Sequence, residues 1–269
     1  MILLTILLLH CAMMSLAWLV RFNSGQSGWI DAIWSLSVAL LGCVAAWAPF
    51  QLATLSTRQV IVGVGVLVAF SRLGLDIARR ARCSADDPRY LALQEKWGVH
   101  YRSRLFWFLQ IQAACGFILS LTIYLAARNP APFGRPFDWV GLALMLIGVA
   151  GETAADRQLR IFKQTHTSQL VCDIGLWSLS RHPNYFFQWL FWIGVAILAI
   201  NVEGEWSWGF LALSGPSMMY WLLVYVSGIP PLEKHMMQSR PEAFAAYQKR
   251  VNAFFPFKKL TFSSLLQKK

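Results

Sequence analysis

The stretch 175–188, GLWSLSRHPNYFFQ, sets Arg181, His182, Asn184, Tyr185 and Gln188 at the mouth of a long apolar segment. Polar and ionisable groups beside a membrane span cost free energy, so such a cluster is a candidate site by default. The competing reading is an interfacial belt, in which Arg snorkels, Tyr and Trp sit at headgroup level and Pro183 starts a helix. A second set lies upstream. Glu152, Asp156, Arg160 and Lys163 recur at spacings of 4, 4 and 3, so a helix would line them along one face. An ordinary solvated face gives the same pattern, with Asp156 and Arg160 pairing. Continuity with an apolar segment argues the other way, because it puts the Glu152 carboxylate at a membrane boundary, where it needs a partner.

Other chemistries find little support. His166 and His182 are 16 residues apart and no HxxxH or HExxH occurs, so no metal site is expected. No G-x-S-x-G marks a hydrolase nucleophile. Gly63 and Gly65 resemble the start of a dinucleotide fingerprint, but they lie in an apolar stretch with no strand before them and suit helix packing instead. The five cysteines (11, 43, 83, 115 and 172) form no CxxC and imply neither a disulfide framework nor a zinc site.

The elements that must position these residues follow from composition. The 269 residues are 57% hydrophobic and only 14% charged, which fits a membrane protein and not a soluble domain. Apolar segments cover residues 1–20, 30–49, 59–75, 106–127, 139–151, 185–200 and 208–227. The first has no basic leader and no cleavage site, so it reads as a retained helix. The fifth is short and is expected to run on as a helix through 152–163. Each is near the length that crosses a bilayer once tilt is allowed. The expectation is an all-α, polytopic integral membrane protein of seven transmembrane helices in a single domain.

The net charge of +11 does not call for nucleic acid, because the basic residues fall in the connections between spans. With the N-terminus outside, 20 of the 24 Lys and Arg lie on the inner side. Three lie outside (Arg58, Arg128 and Arg135), and Arg72 lies within the third span. That asymmetry predicts an N-out, C-in topology. It gathers the polar stretches at the cytosolic helix ends: Asp31; Arg72, Asp76, Arg79, Arg80 and Arg82; the 152–163 face; Arg181 to Asn184; then His235 and Tyr247. The outer connections offer little beyond Glu203 and Glu205.

The stretch GLWSLSRHPNYFFQ, preceded by GETAADRQLRIFK, resembles the C-terminal domain of the steroid 5-alpha-reductase family in its bacterial branch. The likeness is clearest over residues 140–260. Elsewhere it rests on Asp31 with Trp34, on Arg72 and on the basic turn that follows. The resemblance implies a membrane reductase that uses NADPH to reduce the C4–C5 double bond of a 3-oxo-Δ4 steroid or a similar lipid enone. Asp156, Arg181 and Asn184 match positions that hold the nicotinamide cofactor. Glu152 matches another polar cofactor ligand, and Tyr185 lies in the same motif. Lys163 matches a cationic position suited to phosphate, and Arg72 a phosphate- or adenosine-side arginine, with Arg79 and Arg80 as additions. His235 and Tyr247 fall in the segment that closes over the cofactor. Gln188 stands where many relatives carry Glu. Asp31 is a rough counterpart of the catalytic Glu, and the matching Tyr position holds Ala69.

The resemblance divides the chain into substrate-cavity helices over 1–127 and cofactor-binding helices and loops over 139–260. It implies a lipid-soluble substrate taken from the membrane and a site facing the cytosol, in a bacterial inner membrane. No nucleic-acid or obligatory protein partner is expected. The RHPxY element also occurs in isoprenylcysteine carboxyl methyltransferases and related membrane enzymes, and the tail LEKHMMQSRPEAFAAYQKRVNAFFP suits both groups. An S-adenosylmethionine-dependent methyltransferase is therefore the alternative. A non-enzymatic membrane component with an interfacial belt is the third reading.

Overall fold

A computed structural model of the chain describes residues 1–49, 54–83, 86–167, 170–201 and 206–257, without the side chain of Cys83. Glu203 and Glu205 lie outside the described residues. The described residues form, in order, α1 (Ile2–Ser24), α2 (Gly28–Trp47), α3 (Thr57–Cys83), α4 (Pro88–Trp97), α5 (Tyr101–Ala127), α6 (Pro136–Thr165), α7 (Pro183–Ala199), α8 (Ser214–Trp221), α9 (Ile229–Ser239) and α10 (Pro241–Arg250). There is no strand among the described residues, only an isolated parallel bridge between Ser180 and Asn252.

The protein is an all-helical integral membrane protein. Among the described residues, six helical stretches are long and apolar enough to cross a bilayer. They are α1, α2, α3, the run Pro88–Ala127, α6, and the run Ser207–Ser239. The remaining expected span, α7, is apolar but has only 17 residues, below the ~20 that a perpendicular crossing needs. The expected run-on of the fifth segment is found: α6 continues for 30 residues from its apolar half through Glu152 to Thr165.

The chain divides into two compact units. The first holds Met1–Met145 and Trp192–Met218; the second holds Leu146–Phe191 and Met219–Lys269. In the first unit α2 packs on α1, α3 and α5. His10 of α1 is fully buried there and its Nε2 lies 2.9 Å from Ser120 Oγ of α5. Gly116 leaves the room for that ring, since a Cβ there would sit 2.8 Å from His10 Nδ1. A buried imidazole in an apolar bundle must find hydrogen-bond partners; α5 supplies the space and one hydroxyl, and Ser37 Oγ of α2 lies 3.3 Å from His10 Nδ1.

The helix ends of this unit are tied by charge. Arg58, at the start of α3, donates to Asp138 Oδ1 at 2.6 Å and to the Leu198 carbonyl at 2.9 Å. Both side chains are about fully buried, 2% and 1% exposed. Arg128 donates to the Ala45 carbonyl at 3.1 Å, and Arg135 to Asn201 Oδ1 at 2.6 Å. The three arginines counted as outer-loop charges are thus fasteners of helix ends. At the opposite ends Arg21 donates to Asp86 Oδ2 at 3.2 Å, and Gly25 ends α1 in the left-handed conformation (φ 74°) that glycine adopts without strain.

In the second unit the polar half of α6 supports the loop before α7. Trp177 donates its indole N–H to the Ala155 carbonyl at 3.0 Å, and Gln158 accepts from the Leu176 backbone at 2.9 Å. The two helices approach closely at Gly148, where a Cβ would lie 2.8 Å from the Phe187 carbonyl oxygen and from the Phe191 nitrogen. Beyond α8 a π-helical turn spans Leu222–Val226, and Ser227 and Gly228 both donate to the Leu222 carbonyl. Pro230 and Pro231 then open α9, where a missing N–H is tolerated.

Candidate functional site

The second unit gathers most of the candidate residues around the start of α7. Pro183 fixes the backbone for the first helical turn, which brings Asn184 level with the middle of α6. Asn184 donates from Nδ2 to Asp156 Oδ1 at 3.3 Å. A carboxylate accepts and does not donate, so the bond fixes the amide orientation and leaves Oδ1 as the remaining acceptor. That oxygen is buried and has no partner. Glu152, one turn before Asp156, is buried at 6% exposure, and so is Gln188 at 9%. Arg160 and Lys163 are exposed at the far end of the same helix. The 152–163 face therefore runs from a buried carboxylate to surface cations.

Arg181 is held inside the fold. It donates from Nε to Glu233 Oε1 at 2.7 Å, from Nη2 to Glu233 Oε2 at 3.1 Å, and from Nη1 to the Val251 carbonyl. All three guanidinium nitrogens are thereby engaged. Its backbone N–H donates to the Asn252 carbonyl at 2.9 Å. Glu233 also accepts from Gln248 Nε2 at 2.8 Å and meets His182 Nε2 at 3.0 Å. This carboxylate of α9 is the hub that joins the RHPN stretch to the C-terminal helices. Tyr247 completes the joint: its hydroxyl donates to the Trp177 carbonyl, and burial pushes the phenol pKa up.

His182 is 3% exposed and its ring stacks on Tyr185 with centroids 5.5 Å apart. Burial lowers its pKa below the ordinary histidine value, against the opposing pull of the Glu233 hydrogen bond and charge. His235 is exposed on α9.

The other candidates belong to the first unit. Arg72 and Asp76 lie 4.0 Å apart one turn from each other on α3, and exposed Arg79 donates to Asp76 at 3.3 Å. Arg80 is exposed and donates to the Asp76 carbonyl. Asp31 is bound by Arg89, and Tyr90 donates to its Oδ1 at 2.9 Å. Gln112 Nε2 lies 3.4 Å from the Tyr90 hydroxyl. A carboxylate–phenol–amide chain, half-buried at Asp31 and Gln112 and buried at Tyr90, thus stands where only Asp31 is expected from the sequence.

Two participants have no site role in the sequence reading: Glu233, noted there only as part of the tail, and Tyr90. Glu233 is the sole carboxylate in residues 206–241, and that isolation beside a Pro-Pro helix start was a readable signal. Tyr90 follows Asp87-Pro88, a helix-start signature with Asp87 accepting from the Arg89 backbone at 2.9 Å. The signature gives the helix, but nothing local gives its link to Asp31, 59 residues earlier.

A family model for proteins of unknown function, DUF1295, matches residues 17–251. The chain belongs to the DUF1295 family. The matched span takes in every candidate residue from Asp31 to Tyr247, and with them Glu233. Among curated proteins, the chain is similar to the uncharacterized protein C594.04c of Schizosaccharomyces pombe. It is 22% identical over 277 residues, covering 93% of this chain and 78% of that protein. No solved structure matches significantly.

Proposed function

We propose that this DUF1295 protein is an NADPH-dependent membrane reductase of a steroid-like or other lipid enone, of the steroid 5-alpha-reductase type. The observation that carries the reading is the Asn184–Asp156 pair with its buried, unmatched Oδ1. Such an acceptor beside a carboxylate suits the N–H donors of a carboxamide, as nicotinamide presents. Asn184, Asp156 and Glu152 would hold that end of the cofactor, and Lys163 a phosphate. When bound, NADPH supplies the hydride for enone reduction. The chain's own part is to orient the carboxamide through a fixed Asn184 amide and to keep the position dry behind buried Glu152 and Gln188. In this reading the substrate enters from the bilayer, the site faces the cytosol, and the membrane is the bacterial inner membrane.

One observation favours a second reading. Arg181, expected at the cofactor, has its guanidinium nitrogens engaged by Glu233 and a backbone carbonyl. A cofactor without phosphates asks less of it, and S-adenosylmethionine, used by membrane methyltransferases, is such a cofactor.

The test is thermal stabilisation of the purified protein by NADPH, NADH and S-adenosylmethionine, followed by loss of enone absorbance with a 3-oxo-Δ4 steroid. A ligand in large excess over its Kd raises stability by about 3 kcal/mol at a hundredfold excess. NADPH is expected to stabilise the protein, and Asn184→Ala to abolish that shift while the unliganded melt stays unchanged. Stabilisation by S-adenosylmethionine alone would replace this reading with the second one.

A further inference from the structure

His182 is the residue of the RHPN stretch that the proposed function leaves without a task. Its Nε2 faces a carboxylate, Glu233 Oε1, at 3.0 Å. That carboxylate already accepts from Arg181 and Gln248, so it is ionised and can only accept. Nε2 must therefore carry the proton. In a neutral ring the other nitrogen, Nδ1, then presents a lone pair. Nδ1 is buried and has no hydrogen-bond partner. Two residues on, Asn184 Oδ1 is also a buried acceptor without a donor, and its orientation too is fixed by a carboxylate.

Leaving a buried acceptor unmatched costs about 1–3 kcal/mol. One such atom is a packing defect that a fold tolerates. Two within three residues, each turned by its own carboxylate so that the acceptor is the free atom, form a pattern with a chemical complement.

We propose that His182 Nδ1 is a ligand-binding acceptor, and that with Asn184 Oδ1 it receives the N–H donors of a cofactor amide or amino group. Glu233 is then the positioning residue that sets the tautomer of His182. The inference rests on the reading that this end of α7 faces a cofactor. The shared chemistry, an NH2 donor, occurs in the nicotinamide carboxamide of NADPH and in the amino groups of S-adenosylmethionine.

Two substitutions separate this role from a structural one. Asn places an acceptor oxygen near the position of Nδ1 and gives up the link to Glu233. Gln keeps a donor near the position of Nε2, and so keeps Glu233, but has nothing at Nδ1. Purified wild type, His182→Asn and His182→Gln are titrated with NADPH and with S-adenosylmethionine, and each is melted without ligand. The expected result is that His182→Gln melts like wild type yet binds its cofactor about tenfold more weakly, the loss of one buried hydrogen bond. His182→Asn is expected to melt lower but bind within about threefold of wild type. Whichever probe shows the pattern identifies the donor's source.

Wild-type affinity in His182→Gln, with binding weakened only in step with stability in His182→Asn, would overturn the proposal and leave His182 a structural residue. In that event intact NADPH binding by wild type would leave the proposed function standing. If wild type binds neither probe, both fall.

Discussion

Glu233 grips Arg181 with both carboxylate oxygens, at 2.7 Å to Nε and 3.1 Å to Nη2. The pair joins the loop before α7 to α9, and its side chains are 10% and 15% exposed. This bidentate geometry is what guanidinium supplies and ammonium does not. It makes the RHPN stretch and the distant tail one packed unit in this chain.

Removing the carboxylate strands a largely buried cation. Glu233→Ala is expected to cost about 3 kcal/mol, seen as a lower melting midpoint in detergent. Arg181→Lys is expected to lose part of the same stability, because Lys cannot satisfy both oxygens and the Val251 carbonyl. A melt within a degree of wild type for both variants would show that the clasp is ornamental.

The buried, neutral state of His182 gives stability a definite pH dependence. Its folded pKa lies below its ordinary value. As pH falls through about 6.5, the unfolded chain takes up a proton that the fold resists. Stability from this group is therefore whole above that value and is lost progressively below it, until the folded pKa is reached. Melting midpoints measured from pH 8 to 5 should fall more steeply for wild type than for His182→Gln, which does not titrate. Parallel curves would show that the group carries none of the dependence.

At the far end of the first unit, Asp138→Ala should cost about 3–5 kcal/mol, since it leaves Arg58 charged and buried. The paired replacement Arg58→Met with Asp138→Leu should recover most of that loss, because a well-packed apolar pair can replace a buried ion pair. Urea or thermal unfolding of the three proteins decides it. A double variant no more stable than Asp138→Ala would mean that the carbonyl contacts of Arg58 matter more than its charge partner.

Gly148 offers a test by sign. Alanine is favoured over glycine in a helix interior by up to about 1 kcal/mol. Here a Cβ would press on the backbone of α7 at Phe187 and Phe191, so Gly148→Ala is expected to destabilise by about 1–3 kcal/mol. A stabilising effect measured by thermal melting would show that the two helices can separate without penalty.

Much of the helix plan was legible because hydrophobic length reports a span directly. The run of α6 through Glu152 to Thr165 followed from continuity of pattern, and Pro183 marked the start of α7. What stayed illegible was pairing across the sequence. Arg181 reads as a free cation at a helix mouth, and only the fold reveals that Glu233 and the Val251 carbonyl occupy it. Arg58, Arg128 and Arg135 read as stray loop charges, yet each ties a helix end. Asp31 reads alone because Tyr90 sits in a short helix set by a cap rather than by hydropathy. Periodicity describes which face a residue takes on its own helix. It carries no information on which distant residue meets that face.

The clasp around the RHPN stretch has a consequence for the making of the protein. Arg181 emerges 52 residues before Glu233, and its other anchors, the Val251 and Asn252 carbonyls, come later still. During synthesis the start of α7 must therefore wait, with a charged side chain unmatched, until almost all of the described chain has been made. A chain stopped after α8 would carry the RHPN stretch and Asp156 but none of the groups that clasp Arg181.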